Sequence, residues 1–199
     1  MRLKVITAPT AEPITLANAK LHVRVDIDDD DDLIERLITT ARQHAETITR
    51  RAIASATYEL VLDDFPDLSD EEIKLPRPPL ESVTSIKYTD SDGDETEWDS
   101  SKYIVYDSEP AVIVPAYGES YPFFTPYPKG AVKVRYVAGY KADPDDPELE
   151  LPEPIKEAML LMITDLYENR GELLERGHIP KAILVTADNL LMPYRIFGW

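Results

Sequence analysis

The chain has 199 residues, 43% of them hydrophobic, and carries 21 basic against 38 acidic side chains for a net charge of −17. That length builds one domain, or one domain with a sizeable insertion, around a real core. The absence of cysteine excludes disulfides, zinc–thiolate sites and thiol nucleophiles, and so acidic a surface resists wrapping around nucleic acid, because phosphate binding needs clustered Lys and Arg. The charge suits a protein that DNA passes without sticking, and equally a very soluble protein with no nucleic-acid partner. The opening residues lack the apolar stretch of a signal peptide. The most apolar run, residues 158–163, is too short to cross a bilayer. The expectation is a cytoplasmic product with no membrane anchor.

In chain order the pattern runs helices, strands, helices. Prolines at 9 and 13 mark an extended lead-in, after which Thr15 caps a short helix over 16–22. An acidic run, Asp28 to Asp32, leads into a second helix over 33–50. There Leu33, Ile34, Leu37, Ile38, Ala41, Ala45 and Ile48 recur at helical spacing. Asp32 is its expected N-cap, with Glu35 completing a capping box. The period then changes to alternation over 57–62, 72–75, 82–88, 103–106 and 132–137. Asp92-Gly93 signals a tight turn, and Pro76, Pro78 and Pro79 place their segment at an edge or a crossing. Residues 141–153 read as an acidic, Pro-rich linker. A third helix follows from 155 to about 170, with Pro154 in its first turn. It is apolar nearly all round, so it needs cover on more than one face; a neighbouring subunit or the chain's own bundle can supply it. Residues 181–192 are again apolar at helical spacing. The predicted fold is α+β: a helical bundle from the N- and C-terminal helices with an inserted antiparallel β-rich subdomain. Its parts are 1–54, 55–140 and 141–199.

Three groups of residues stand out as candidate contacts. The loop 116–130 carries Tyr117, Tyr121, Phe123, Phe124 and Tyr127 among prolines; long ordered loops of this kind are often contact elements, although such aromatics also fold back over a core. The tail Pro193, Tyr194, Arg195, Ile196, Phe197 and Trp199 is apolar and aromatic, and it either packs on its own domain or inserts into a partner. Deleting 193–199 is expected to remove partner binding without unfolding the chain. On the third helix, Ile155, Met159, Met162 and Leu166 are the expected subunit–subunit face.

No catalytic constellation can be assembled. The seven glycines form neither a phosphate loop nor a dinucleotide fingerprint, and no Gly-x-Ser-x-Gly elbow occurs. His22, His44 and His178 lie far apart in sequence, without metal spacing. The Asp26-x-Asp28-x-Asp30 run fails as a calcium loop, because Asp31 and Leu37 stand where Gly and Glu are required. Asp90, Asp92 and Asp94 surround a turn, where Asp is common for backbone reasons. No cofactor and no metal are expected.

Several segments then appear in a telling order. They are Pro13-Ile14-Thr15-Leu16-Ala17-Asn18-Ala19-Lys20 before the Asp run and Leu33-Ile34; Leu75-Pro76-Arg77-Pro78-Pro79-Leu80-Glu81-Ser82-Val83; Val134-Arg135-Tyr136-Val137-Ala138-Gly139-Tyr140; Pro154-Ile155-Lys156-Glu157-Ala158-Met159-Leu160-Leu161 with Tyr167-Glu168-Asn169-Arg170; and the closing Leu190-Leu191-Met192-Pro193-Tyr194-Arg195. Together they resemble the head–tail connector (adaptor) family of long-tailed phages and prophages, including gene transfer agents. The resemblance implies a non-enzymatic structural subunit in the neck of a virion or phage-like particle, present in the bacterial cytoplasm during assembly. It implies a homo-oligomeric ring, a dodecamer under the portal protein, with DNA passing the lumen without specific binding and the tail docking below. It carries over no catalytic residue. Two other readings stay open: another neck or tail-completion protein of the same particle, and a carboxylate- or metal-dependent hydrolase.

Overall fold

The computed structural model describes residues 1–66, 72–141, 151–169 and 181–197. The fold is α+β, and the chain divides into two compact units: Ala11–Ala54 with Tyr140–Trp199, and Met1–Thr10 with Ser55–Gly139.

The first unit is helical, with α1 (Leu16–Val23), α2 (Asp31–Thr49), α3 (Glu153–Glu168) and α4 (Lys181–Leu191). Thr15 caps α1, its hydroxyl oxygen accepting the Asn18 N–H at 3.2 Å. The α2 stripe forms as the spacing predicts, with Ile34, Ile38, Ala41 and Ala45 buried. Its start differs from the expected capping box. Asp30 is the N-cap and makes no side-chain cap bond, while Asp32 is already helical. Tertiary partners have taken the carboxylates: Tyr167 Oη donates to Asp30 at 2.5 Å, and Lys20 Nζ donates to both Asp28 and Asp31 at 2.7 Å. The bond to Asp28, then that to Asp31, raises the Lys20 pKa above its ordinary value. The Lys20 bond likewise lowers Asp28.

On α3, Ile155, Ala158, Met159, Met162 and Ile163 are buried in a core shared with Ile34, Ile38, Ala187 and Leu191. The cover that this apolar helix needs therefore comes from α1, α2 and α4 of the same chain. At roughly 1.5–3 kcal/mol per large side chain, this burial is the main stabilising term of the unit. The helix ends at Glu168; the expected end at Arg170 lies outside the described residues.

One polar cluster sits within this apolar setting. Arg42 is buried on α2 and donates from Nε to Glu12 at 2.7 Å and from Nη1 to Glu46 at 3.3 Å. Thr39 donates to the same Glu12 at 2.9 Å, and Glu46 also accepts the Ile53 N–H at 3.1 Å. Burial alone would lower the Arg42 pKa, but the Glu12 and Glu46 carboxylates more than offset it and leave the pKa raised. Close by, Tyr140 N–H bonds Ile53 O at 3.3 Å, and Ala54 and Tyr140 form a parallel bridge.

Among the described residues the second unit holds eight antiparallel strands: β1 (Arg2–Thr7), β2 (Ala56–Leu62), β3 (Ile73–Lys74), β4 (Leu80–Thr89), β5 (Glu95–Glu97), β6 (Tyr103–Tyr106), β7 (Val112–Pro115) and β8 (Val132–Ala138). They form a five-stranded sheet in the order β1-β2-β8-β4-β5 and a three-stranded sheet in the order β3-β7-β6. The first ten residues, expected with the N-terminal helices, belong here instead, because β1 pairs along β2 from Arg2↔Val61 to Thr7↔Thr57. The proline segment 76–79 carries the chain from β3 in one sheet to β4 in the other.

Strand alternation sorts the large sheet into two faces. Leu60, Val134 and Ile86 share one register row, and all are wholly buried. Tyr136 is buried on the same face, with its hydroxyl donating to Pro76 O at 2.7 Å; burial, more than the neighbouring Tyr58, pushes its pKa far up. The Asp90 carboxylate accepts the N–H groups of Asp92 and Asp94 at 3.0 Å each, which shapes the β4–β5 hairpin around Gly93 at φ +93°.

Replacing Arg42 with Met leaves two carboxylates facing each other without their cation. The expected loss is about 2–4 kcal/mol of unfolding free energy, read by urea denaturation. Arg24 ends α1 in the left-handed region at φ 59°, and its side chain is exposed. Arg24→Gly relieves that strain and is expected to stabilise the chain by about 0.5–1 kcal/mol in the same assay.

Candidate partner-binding surfaces

Loop 116–130 is built from the inside outward. Phe65 is the hub of an aromatic cluster, with ring centroids 5.4 Å from Trp98, 5.5 Å from Tyr121, 5.9 Å from Tyr88 and 6.0 Å from Phe124. Tyr121 is also 5.5 Å from Trp98 and donates its hydroxyl to Ile113 O at 3.3 Å. Tyr127 N–H bonds Thr89 O at 3.1 Å, and Pro126 bridges to Asp90. The five loop aromatics thus divide. Tyr121 is buried and Phe124 packs under the loop, whereas Tyr117 and Phe123 are completely exposed and Tyr127 is 48% exposed. The inner pair order the loop, and the outer residues hold apolar surface in water on a fixed backbone.

The C-terminal segment is partly tied down. Arg51 Nε donates to Tyr194 O at 2.7 Å, and Ile196 N–H donates to Thr49 O at 2.9 Å. Tyr194 packs on the helical core and Ile196 is 8% exposed. Pro193 lies in a short 3-10 turn over Met192–Tyr194 and is exposed. The chain then leaves the core: Phe197 is 72% exposed, with the Arg195 guanidinium 5.6 Å from its ring centroid. Arg195 Nε is buried and has no hydrogen-bond partner among the described residues. Trp199 lies outside the described residues. Removing 193–199 would therefore strip buried contacts from the helical unit, contrary to the expectation that the fold survives it; Phe197, the last described residue, stands clear of that core.

The expected subunit–subunit face on α3 is corrected. Ile155, Met159 and Met162 are buried inside the chain's own core, and of the four only Leu166, 39% exposed, offers surface to a neighbour. The cause is geometric: all three lie on the stripe that meets α2 and α4.

The outer face of the large sheet was not foreseen. Its register rows are Lys4–Glu59–Arg135–Ser85 and Arg2–Val61–Lys133–Lys87–Glu97. Glu59 lies between Lys4 at 3.8 Å and Arg135 at 2.8 Å. Glu95 lies between Lys133 at 2.8 Å and Lys87 at 3.0 Å, and these two cations, Lys133 foremost, lower its pKa. Each carboxylate is bridged by two cations. Alternation in the single strands hints at such a face, but its charge pattern depends on which strands are neighbours. Beside this face a hollow of about 350 Å³ is lined by Met1, Arg2, Val61, Asp63, Lys129 and Gly130.

Enzyme-like features are sparse. His22 Nδ1 lies 2.9 Å from the Thr164 hydroxyl and links α1 to α3; His44 is exposed on α2, and His178 lies outside the described residues. Among the described residues, no group of three or more His, Asp or Glu side chains is placed to hold a metal ion, and no helix is long and apolar enough to cross a membrane.

Residues 13–110 match the family model of the phage gp6-like head-tail connector protein. The chain belongs to the head–tail connector family. The match covers the whole of α1 and α2 and the strands from β2 through β6. The connector is also similar in fold to three solved chains, each match covering 100% of it and 97% of the other chain. They come from the neck of an empty gene transfer agent particle with C6 symmetry (22% identity, TM-score 0.77), the virion of a native particle (21%, 0.76) and the neck of a native particle with C12 symmetry (21%, 0.74). No curated protein matches the connector. Both the family and these neighbours are structural neck proteins rather than enzymes.

Replacing Tyr117 and Phe123 together with Ser is expected to change the connector's unfolding free energy by no more than about 0.5 kcal/mol, because neither ring is packed. Phe65→Ala is expected to cost about 3–5 kcal/mol, because it empties the hub beneath the same loop. Urea unfolding followed by tryptophan fluorescence compares the two variants.

Proposed function

We propose that this connector is a structural subunit of the neck of a tailed-phage-type particle, assembling as a ring between the portal and the tail through which DNA passes. The observation that carries the reading is the family match over 13–110 combined with a full-length likeness to chains from gene transfer agent particles, two of them necks with C6 or C12 symmetry. A dodecameric ring fits those symmetries. The net charge of −17 suits a conduit, since a wall poor in unpaired cations offers DNA phosphates few places to bind.

Neck proteins need surfaces for unlike partners above and below. Among the exposed aromatics on ordered backbone are Tyr117 with Phe123 at a loop tip, and Phe197 at the end of a docked segment. Aromatic side chains anchor interfaces by burying large apolar area with few torsions to freeze. We assign the Phe197 end, with Arg195, to the portal, and the loop to the tail side or a neighbouring subunit.

The assignment is tested in particles whose own connector gene is deleted and then complemented. Without the protein, filled heads and free tails are expected to accumulate unjoined. Truncation after Ile196 is expected to keep the fold, read by circular dichroism, and to abolish co-sedimentation with portal. Heads joined to tails in the absence of the protein would overturn the neck reading. Undiminished portal binding by the truncated chain would overturn the assignment of the tail end.

A further inference from the structure

The outer face of the large sheet has the opposite charge character to the molecule. Five cations stand on it, Arg2, Lys4, Lys87, Lys133 and Arg135, against three glutamates, Glu59, Glu95 and Glu97. The whole chain has 21 basic against 38 acidic side chains. Arg2 has no side-chain partner among the described residues, and each bridged carboxylate leaves one cation uncompensated. The hollow beside this face adds Lys129, whose side chain is 84% exposed and pairs with Asp63 at 3.0 Å. Val61 and Met1 add apolar lining, and Asp63 is the one carboxylate among the lining residues.

The opposite chemistry occurs on the loop between α1 and α2. Lys20 holds that loop by Asp28 and Asp31, so its tip has a fixed form. Asp26, Asp28 and Asp29 are exposed there, and Ile27 projects between them at 59% exposure. An apolar side chain flanked by carboxylates matches a hollow lined by Val61 and Met1 beside Arg2 and Lys129 in both polarity and charge.

We propose that the cationic outer face of the sheet, at the hollow lined by Arg2, Val61 and Lys129, is a docking surface for the α1–α2 loop of a second copy of this chain. Ile27 of one copy enters the hollow while Asp26 and Asp29 face Arg2 and Lys129 of the next. Two different surfaces meet, so the contact is head-to-tail and generates a ring when the rotation closes. It rests on the ring reading given above and supplies that ring's subunit contact. DNA is the less fitting occupant of the same face. Its cations alternate with glutamates that repel phosphates, whereas nucleic-acid sites gather unpaired Lys and Arg.

A charge-exchange experiment on the full chain tests the proposal. One variant carries Arg2→Glu with Lys129→Glu, and the other Asp26→Arg with Asp29→Arg. All four sites are exposed, so both variants are expected to keep the wild-type circular dichroism spectrum. Self-association is measured by analytical ultracentrifugation at low salt. Each variant alone is expected to self-associate about 100-fold more weakly than wild type, since like charges then meet across the contact. An equimolar mixture restores opposite charges at every contact and is expected to recover wild-type association. Wild-type rings with no recovery in the mixture would overturn the docking surface and leave the ring reading standing. A wild-type chain that stays monomeric under all conditions, and is present singly in particles, would overturn both. Wild-type binding to duplex DNA, read by fluorescence anisotropy and lost on Arg2→Glu/Lys129→Glu, would give the face to nucleic acid and sink the proposal.

Discussion

The Arg42 guanidinium is the point at which the helical unit is closed. Glu12 lies where the chain enters that unit, and Glu46 holds the Ile53 N–H one residue before the unit's first stretch ends at Ala54. Arg42 binds both carboxylates from the middle of α2. A planar fork with five fixed donors suits this task, and a lysine ammonium could not span the two acceptors in the same way. Buried charge is costly unless its partners are complete, so the cluster specifies one arrangement of entry, helix and exit more than it adds net stability. The bridge between Ala54 and Tyr140 brings the returning chain to the same place.

A closed helical unit constrains how copies can associate. Ile155, Met159 and Met162 are spent inside the subunit, so this apolar helix offers little of that stripe to any interface. Two kinds of surface stand out among what remains for partners. One is isolated aromatics on ordered backbone, at Tyr117, Phe123 and Phe197. The other is patterned charge on the sheet. The first resembles the anchor residues of interfaces, and the second sets orientation and choice of partner. Both rely on cores beneath them: the Phe65 cluster orders the loop, and Thr49 with Arg51 fixes the last residues before Phe197.

Helices α2 and α4 were legible because apolar residues recur at helical spacing, α1 because Pro13 and Thr15 announce it, α3 because it is a long apolar run behind Pro154, and the central strands because they alternate. What escaped did so for physical reasons. β1 is a short edge strand with only Leu3 half-buried, and its alternation, Arg2-Leu3-Lys4-Val5, breaks at Ile6 and is too brief to stand out. β7 follows Pro110 and ends in Pro115, and the two prolines conceal it. Phe65 is a single aromatic between Asp64 and Pro66, with nothing local to show that four rings converge on it. The aspartates before α2 read as caps because capping is a local rule, but Lys20 and Tyr167, distant in sequence, claim their carboxylates. In loop 116–130 the aromatics were visible while their direction was not, since a loop has no period to separate inside from outside.

Net charge is the quantity that any ring of this chain must overcome. Subunits at −17 repel one another at long range, and at physiological ionic strength that repulsion is screened beyond roughly 8 Å. Close contact then decides the outcome, and there the average charge matters less than its arrangement. Lys4–Glu59–Arg135 and Lys87–Glu95–Lys133 hold their cations in fixed rows on a rigid sheet, so a partner's carboxylates meet preorganised charge instead of having to order loose lysines. A net acidity of this size is thus compatible with assembly, provided cations are grouped at the contact proposed above. A uniformly mixed surface of the same net charge would keep the repulsion and lose the contact.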